Sequence, residues 1–390
     1  FYQPPRENPW LEVIEVQDSA APYHDWNQRI SEECYGPNSA ARKLDSRGRI
    51  VALVNNYSYI SFNFGPTLLS WIEKSQPDVY QAILEADEKK KKRFGGHGPA
   101  IAQVYNHIIM PLASRRDKIT QVRWGIWDFE YRFRRKPKGM WLAETAVDLE
   151  TLEILVDHGI EFTILAPKQA QRIKRIKDSD WITVREENVD TRKAYKCLLP
   201  NGKSIHIFFY NGGISHDIAF GDLLKNGDKL IDRMVSGFSH RLEEPELVHV
   251  ATDGETFGHH HRFAEMALTW CLGRAEGEKL ARITCYSEFL SLEKVEWQCE
   301  VRPFSAWSCD HGVERWRSDC GCQFHSGTHQ RWRQPLRTAL DFLRDQAAEM
   351  YEQVTRDFFN DAEDARNAYI EVFIQLKKEE FFSLQRREFV

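Results

Sequence analysis

Residues 139–144 read Gly139-Met140-Trp141-Leu142-Ala143-Glu144, and residues 250–258 read Val250-Ala251-Thr252-Asp253-Gly254-Glu255-Thr256-Phe257-Gly258. In each stretch a carboxylate follows a short apolar run and precedes an amphipathic helical pattern. A strand of a β/α barrel delivers its side chain to the catalytic face at this position. The two stretches therefore predict an α/β fold that brings Glu144 and Asp253 together, although they are far apart in the sequence.

This pair of carboxylates also indicates a chemistry. A glycosidic bond is usually cut by two carboxylates that are held on either side of it. We therefore interpret Glu144 and Asp253 as a catalytic pair, with a structural salt-bridge role as the alternative.

The composition limits the class of protein. The chain has 390 residues, of which 42% are hydrophobic, enough for roughly two domains or for one large barrel with an appendage. No apolar run approaches the ~18 residues that a membrane span needs, so we expect no membrane partner. The net charge is −5 and the basic runs are short, which argues against a nucleic-acid partner.

The cysteines bear on the compartment. Six of the eight fall between Cys271 and Cys322, without the dense regular spacing of a small disulfide scaffold. We therefore expect a reducing compartment and a cytoplasmic location. The sequence does not predict an oligomeric state.

Strand-like and helix-like runs alternate along the chain, which is typical of a parallel α/β layer or barrel. We predict strands at 50–54 and 59–64, and helices that open at Pro66 and Pro77. Further helices are predicted over 101–112, over 115–133, and after Asp148 as N-cap.

Two departures from this alternation define the domains. The turn residues 200–203 predict a β-hairpin near 195–209, inserted into a barrel domain that covers residues 1–302. Apolar residues at helical spacing between 336 and 358 predict a long helix. Residues 303–390 are therefore expected to form a loop that flanks the active site and a C-terminal helical domain. Its helical pattern continues to the chain end, so we expect it to be truncated.

Several motifs, in order, carry a family resemblance. They are residues 1–10, Gly96-His97-Gly98, the stretch that ends at Glu144, and Asp253-Gly254-Glu255-Thr256-Phe257-Gly258. Together the motifs resemble those of glycoside hydrolase family 57, over most of the chain. The segments 55–65 and 305–309 are similar to an uncharacterised bacterial and archaeal branch of that family.

The resemblance implies an incomplete (β/α)7 barrel, a helical bundle behind it, and retaining chemistry on α-linked glucans. It implies that Glu144 is the nucleophile and Asp253 the general acid/base. Retention requires carboxyl groups about 5–5.5 Å apart, with the nucleophile ionised and its partner protonated. Burial or the negative charge of Glu144 would raise the pKa of Asp253 in that direction.

The chain departs from the family pattern in two places. Ala143 stands where many members have proline, a change at a group that does not react. The family's first motif begins with an active-site histidine that would immediately precede Phe1. We therefore expect the 390-residue chain to bind glycan but to turn it over on the order of 10²-fold more slowly than a chain with that histidine.

Further side chains are candidates for binding sugar. His97 lies between glycines that permit close approach, with a loop-stabilising role as the alternative. Glu255 is a candidate for binding a hydroxyl or for orienting a helix. Neighbouring helical residues point about 100° apart, so the consecutive histidines 259–261 cannot converge on one metal ion. We expect one of them to face the active site and select His259 as that residue. The tryptophans that could stack on sugar or pack in the core are Trp124, Trp127, Trp141, Trp307 and Trp316.

Among these tryptophans, Trp307 is the preferred stacking residue.

The densest group of side chains that could bind a soft metal ion is Cys309, His311, Cys320, Cys322 and His325. Its spacing is not one of the usual zinc patterns, so a metal, reduced thiols and a disulfide all stay open. The predicted reaction itself uses no metal and no cofactor.

Three functional classes follow from these observations. The first is a retaining hydrolase or transglycosylase acting on an α-glucan. The second is a catalytically inactive barrel that binds carbohydrate. The third is a metal-dependent hydrolase or deacetylase on a related barrel, which lacks a convincing Asp/His ligand set beside Glu144.

Overall fold

The computed structural model of the protein describes residues 1–185, 187–239, 244–323 and 325–388, with side chains described up to residue 376. The strands in these ranges are β1 (Ala41–Leu44), β2 (Ile50–Val54), β3 (Ala102–Gln103), β4 (Met140–Trp141), β5 (Phe162–Leu165), β6 (Ala170–Arg175), β7 (Ile182–Thr183), β8 (Ala194–Leu198), β9 (Ser204–Phe209) and β10 (Trp297–Val301). The α-helices are α1 (Trp26–Ile30), α2 (Gly36–Ser39), α3 (Pro66–Ser75), α4 (Pro77–Lys91), α5 (Arg115–Phe133), α6 (Leu149–Asp157), α7 (Gly212–Phe220), α8 (Gly227–Val235), α9 (Ala264–Gly277), α10 (Tyr286–Leu292), α11 (Arg333–Thr355) and α12 (Ala362–Glu388).

The largest sheet has six strands in the order β5-β9-β8-β10-β6-β7. Within it, β5 pairs in parallel with β9 and β10 pairs in parallel with β8, whereas the other neighbours are antiparallel. A parallel pair, β3 and β4, and an antiparallel hairpin, β1 and β2, complete the paired strands of the described ranges. The fold is therefore α/β with a mixed sheet.

Single bridges extend the parallel set beyond these sheets. Gly139, just before β4, bridges Phe162 of β5, and Phe62 bridges Ala100, just before β3. A Cβ on Gly139 would lie 2.2 Å from the Phe162 ring, so this contact between β4 and β5 requires glycine. The segment at Phe62, β3, β4, β5 and β9 thus run side by side in one direction. The residues that follow these strands, Glu144 among them, meet at one edge.

Burial explains why these short strands form. All four residues of β5 are buried, as expected for a parallel strand covered on both faces. Helices α3, α4 and α6 contribute buried aliphatic side chains to the same core, including Leu69, Ile83 and Leu152. These helices therefore cover the face of the parallel strands against which they pack.

Local end signals place most of the helices. Helices α3 and α4 begin at Pro66 and Pro77, as predicted. The Ser114 side chain accepts a hydrogen bond from the backbone of Asp117 at the start of α5, and Asp148 accepts one from Thr151 at the start of α6. These caps satisfy donors that a helix leaves unpaired at its first turn.

Two predictions about the first half of the chain are wrong. The segment 101–112 is not a helix, because it contains β3 and then a 3₁₀ turn over Met110–Leu112. A buried parallel strand is apolar on both faces. Its short apolar run therefore cannot be distinguished from a buried helix by periodicity alone. The segment 59–64 is not a regular strand either. It follows a 3₁₀ turn over Asn56–Ser58 and holds a single bridge at Phe62.

The turn after residue 199 connects β8 to β9. Gly202 adopts φ +80°, and the Leu199 amide donates to the Lys203 carbonyl at 2.9 Å. Because β9 also pairs in parallel with β5, this hairpin is part of the main sheet. The sequence predicted this hairpin as an insertion into the barrel domain.

The C-terminal helices differ in how they pack. Ile370 and Ile374 of α12 are buried together with Tyr105, against α5. By contrast, Leu340 and Leu343 of α11 are more than half exposed. Among the residues that the structure describes, no helix combines the length and the apolarity that crossing a bilayer requires.

Candidate active site

Glu144 and Asp253 line the same cavity, which has a volume of about 610 Å³. Glu144 follows β4, and Asp253 follows the apolar run 247–251. Trp141 and Trp307 line this cavity as well, together with Glu255. The fold therefore brings together the two motifs that the sequence singled out.

The backbone at Glu144 is strained. Glu144 has φ +57° and Thr145 has φ +51°, so two consecutive residues with side chains adopt the left-handed region. Each such residue costs about 1–3 kcal/mol, and the conformation persists only where the surroundings hold it. The turn lifts the Glu144 side chain out of the strand direction and into the cavity.

Gln169 holds this turn in place. It is fully buried, and its side-chain amide nitrogen donates to the Thr145 carbonyl at 2.8 Å. Its amide oxygen accepts from the Thr145 hydroxyl at 2.7 Å. The same nitrogen donates to the Ser305 hydroxyl at 3.1 Å, which ties the turn to the loop that follows β10. This network offsets the strain at Glu144.

Trp307 fixes the Glu144 carboxylate. The indole Nε1 donates to Glu144 Oε2 at 2.9 Å, and the Trp307 amide donates to the Glu144 carbonyl at 3.1 Å. The ring of Trp141 meets that of Trp307 edge to face, with centroids 5.2 Å apart. A hydrogen bond to a charged acceptor is one of the stronger kinds in proteins. Glu144 is therefore both oriented and bordered by aromatic faces.

Asp253 has a different environment. Asp253 is solvent-exposed where it lines the cavity, and its carboxyl group makes no hydrogen bond to any described residue. Burial raises the pKa of Asp253, and the negative charges of Glu255 and Glu144 raise it further. Both effects favour the protonated acid.

Glu255 is buried at the base of the same motif. Its Oε1 accepts a hydrogen bond from the Tyr35 hydroxyl at 2.6 Å and another from the Tyr2 amide at 3.2 Å. Burial raises the pKa of Tyr35 well above its usual value, and the charge of Glu255 adds to the effect. Glu255 thus ties the first residues of the chain to the Asp253 turn.

Two parts of the chain match models of known protein families. Residues 6–300 match the model of glycosyl hydrolase family 57, which is most of the chain. The chain belongs to glycosyl hydrolase family 57. Residues 328–389 match a separate model, described as Domain of unknown function (DUF3536).

Individual proteins resemble parts of this family 57 chain. Alpha-amylase 1 of Dictyoglomus thermophilum is 27% identical over 107 residues, which are 27% of this chain and 15% of the amylase. The exo-type maltose-forming amylase of Pyrococcus sp. ST04 superimposes with a TM-score of 0.69 at 18% identity, over 92% of this chain and 61% of the amylase. The 4-alpha-glucanotransferase of Thermococcus litoralis gives a TM-score of 0.56 at 16% identity, over 92% of this chain and 46% of the transferase.

These similarities cover only part of each relative. The chain spans less than two thirds of the length of each of the three proteins. At 16–18% identity, the two structural likenesses show a shared fold.

His107 is a cavity residue of this family 57 chain that the sequence analysis missed. It follows β3 with φ +54°, and its ring lies against that of Tyr2 with centroids 3.9 Å apart. Gln103 Nε2 lies 3.0 Å from His107 Nδ1. Burial lowers the pKa of His107 to about 4, so the ring is neutral near pH 7. Its position after a strand could have marked His107 as a site residue. The wrong prediction of a helix over 101–112 hid that strand.

The three consecutive histidines point to different partners. His259 lines the cavity and its Nδ1 contacts the Glu33 carboxylate, while His261 Nε2 lies 3.0 Å from the Ala219 carbonyl. His260 lines the cavity near Asp253, and burial lowers its pKa. The three side chains of the triplet therefore face different surroundings.

Two residues that were predicted to bind sugar, His97 and Trp124, lie outside the cavity of this family 57 chain. His97 is not among the cavity residues and lies near Lys138 and Glu161, which precede β4 and β5, at the edge opposite Glu144. Trp124 packs between α5 and α12, where its Nε1 donates to the Asn367 carbonyl at 3.0 Å. The structure therefore does not bring these two residues together with Glu144 and Asp253. Flexible glycines around His97 and the size of the Trp124 ring were not enough to assign a site.

Proposed function

We propose that this chain is a retaining glycoside hydrolase or transglycosylase that acts on α-linked glucans. Glu144 is the nucleophile in this proposal and Asp253 the general acid/base. The observation that carries it is the contrast between two carboxyl groups in one cavity. A hydrogen-bond donor holds Glu144, whereas burial and negative neighbours favour the protonated form of Asp253.

The proposed reaction has two balanced steps. In the first, the Glu144 carboxylate attacks the anomeric carbon while Asp253 gives its proton to the departing glycosidic oxygen. In the second, the Asp253 carboxylate takes a proton from water or from a sugar hydroxyl, whose oxygen attacks the anomeric carbon and releases Glu144. Water gives hydrolysis and a sugar hydroxyl gives transfer.

The parallel segments support the finer proposal of an incomplete (β/α)7 barrel. Seven extended segments lie near one another: 1–3, 62–65, 100–103, 139–141, 162–165, 204–209 and 247–253. The Gly65 amide donates to the Phe1 carbonyl at 2.9 Å, and the Asn211 amide donates to the His249 carbonyl at 2.9 Å. Each bond joins the first or the last segment to a neighbour in this series, which supports the proposal. With this barrel we retain the proposed division of the chain between residues 302 and 303.

Neighbouring side chains suit the recognition of a sugar. Trp141 and Trp307 offer apolar ring faces, on which the C–H groups of a pyranose can pack. His107 and His259 offer ring nitrogens to hydroxyl groups, and we propose both as substrate contacts. We propose that Glu255 positions the Asp253 turn.

The proposed α-glucan substrate rests on family membership and on what the relatives are called, an amylase and a glucanotransferase among them. Product analysis with a panel of α-glucans and α-mannosides tests it. We expect shortened or rearranged α-glucan chains and no product from α-mannosides. Glu144→Gln should abolish product, whereas Glu296→Gln, an exposed residue, should leave it unchanged.

Two results would count against the proposal. Retention of near-normal turnover by the Glu144→Gln variant would remove the nucleophile assignment. Tight glycan binding without product, in wild type and both variants alike, would favour the alternative of an inactive carbohydrate-binding barrel.

A further inference from the structure

Four side chains of the loop after β10 converge outside the cavity. Cys309, His311, Cys320 and Cys322 each direct one ligand atom to a common point, and these atoms lie within 4.8 Å of one another. Among the described residues this is the one group of His, Cys, Asp and Glu side chains so arranged. None of the four lines the cavity that holds Glu144.

Three of the six separations between these atoms are close to those of a tetrahedral site. Cys309 Sγ lies 4.0 Å from Cys320 Sγ and 3.8 Å from Cys322 Sγ, and Cys322 Sγ lies 3.5 Å from His311 Nδ1. Zinc at its usual distances from sulfur and nitrogen places tetrahedral ligands about 3.5–3.8 Å apart. The spacing Cys-x-His and Cys-x-Cys did not suggest this, because two distant pairs meet only when the loop folds back.

The loop is built to fold back at this point. Ala306 forms an antiparallel bridge with Cys309. Gly312 has φ +73°, and a Cβ there would lie 2.1 Å from the Phe304 carbonyl oxygen, so its close backbone contact requires glycine. Arg333, at the start of α11, directs its Nη1 to Cys320 Sγ at 3.9 Å.

We propose that Cys309, His311, Cys320 and Cys322 bind one structural Zn²⁺ ion. Three thiols release their protons on binding, and the three thiolates with neutral imidazole leave the site with one negative charge. The Arg333 guanidinium, which contacts Cys320 Sγ, compensates for that charge, as outer partners of zinc ligands commonly do. Because all four coordination positions are filled by protein, the ion is closed to substrate.

The ion would brace the loop that carries Trp307. Trp307 stands two residues before Cys309 and donates its hydrogen bond to Glu144. A fixed Cys309 therefore limits the motion of the Trp307 indole and keeps it in position to donate to the Glu144 carboxylate. This consequence for catalysis rests on the proposed function, whereas zinc binding itself does not.

Metal analysis of the purified full chain tests the proposal. We expect about one zinc ion per chain in wild type, and a small fraction of that in His311→Ala and Cys320→Ser. His325→Ala is the matched control, since this exposed histidine belongs to the same loop and lies outside the cluster. That variant should retain full zinc, and so should His311→Cys, which offers a fourth thiolate.

Cobalt substitution keeps the test valid where a variant does not fold. Wild-type chain reconstituted with Co²⁺ should show a thiolate-to-metal charge-transfer band and the visible absorption of a tetrahedral ion. Zinc-free wild type with three reactive thiols, a disulfide among Cys309, Cys320 and Cys322, or full zinc in His311→Ala would each overturn the site. None of these results depends on the enzymatic activity, so failure of the site and failure of the proposed function remain distinguishable.

Discussion

The two sides of the cavity hold their carboxyl groups in opposite ways. On one side, Glu144 stands on a strained turn that Gln169 holds, and Trp307 donates to its carboxylate. On the other side, Asp253 accepts no hydrogen bond from the described residues and lies near the negative charge of Glu255. A donor stabilises a carboxylate, whereas burial beside negative charge stabilises a carboxylic acid.

This difference teaches that the surroundings assign the roles, since the two groups are chemically alike. A nucleophile needs a fixed position and a free electron pair, which the Glu144 side provides. A general acid needs a proton, which the Asp253 side favours. Most of the predictions below alter one side of the cavity at a time, and the last alters a residue outside the cavity.

The largest effect should come from comparing Glu144→Gln with Asp253→Asn on two kinds of substrate. Glu144→Gln should abolish turnover of both natural glucan and an aryl glycoside with a good leaving group, because no glycosyl-enzyme intermediate forms. Asp253→Asn should lose on the order of 10²–10⁴-fold on glucan, while formation of the intermediate from the activated glycoside should continue. Initial rates and a burst of leaving group measure both effects.

Added azide sharpens this comparison. Azide attacks without needing a general base, so it should restore turnover of the activated glycoside in Asp253→Asn and not in Glu144→Gln. Rescue of the Glu144 variant with the same anomeric configuration would exchange the two assignments.

Next in size is the hydrogen bond that orients Glu144. Trp307→Phe keeps an aromatic ring beside Trp141 and removes the indole donor. A hydrogen bond to a charged group contributes about 1.5–3 kcal/mol, so we expect kcat to fall by roughly 10–10²-fold. Trp316→Phe, in the same loop, is the control, and it should change kcat much less.

The KM of Trp307→Phe separates two roles of this side chain. A fall in kcat with little change in KM supports its action on Glu144. A rise in KM at unchanged kcat would make Trp307 a sugar platform alone.

A smaller effect concerns pH. The charge of Glu255 raises the pKa of Asp253, so Glu255→Gln should lower that pKa. Because the reaction needs protonated Asp253, activity declines as pH rises through its pKa, and the basic limb of kcat/KM should move to lower pH. Full pH profiles of wild type and variant measure the shift, with Glu296→Gln as control. A basic limb that stays in place or moves to higher pH contradicts the argument.

The sequence predicted those parts of the fold that have local signals. Helices α3, α4, α5 and α6 follow from prolines and capping side chains near their ends. Residues that follow apolar runs, Glu144 and Asp253, lie in one cavity. Parallel strands of two residues carry no such signal. For this reason β3, and with it His107, was not predicted from the sequence.

The remaining differences come from contacts between distant parts of the chain. His97 has glycine neighbours that suit a binding loop, yet the strand order puts it at the opposite edge from Glu144. The four zinc-type ligands meet only through the fold of their loop. Composition and spacing do not encode which surfaces α11 and α12 cover.

The smallest effect on activity should come from Trp124, which the sequence placed in the same class as Trp307. Its Nε1 donates to the Asn367 carbonyl of α12 at 3.0 Å, and its ring meets Tyr105 edge to face at 5.3 Å. Trp124→Phe removes one hydrogen bond and some packing, so we expect the free energy of unfolding to fall by about 1–2 kcal/mol. Since no part of this contact reaches the cavity, kcat and KM should stay at wild-type values. Urea unfolding and steady-state kinetics on the same preparations measure both quantities, and Trp307→Phe should give the reverse result. A loss of activity in Trp124→Phe without a loss of stability would return Trp124 to the site and remove the distinction between the two tryptophans.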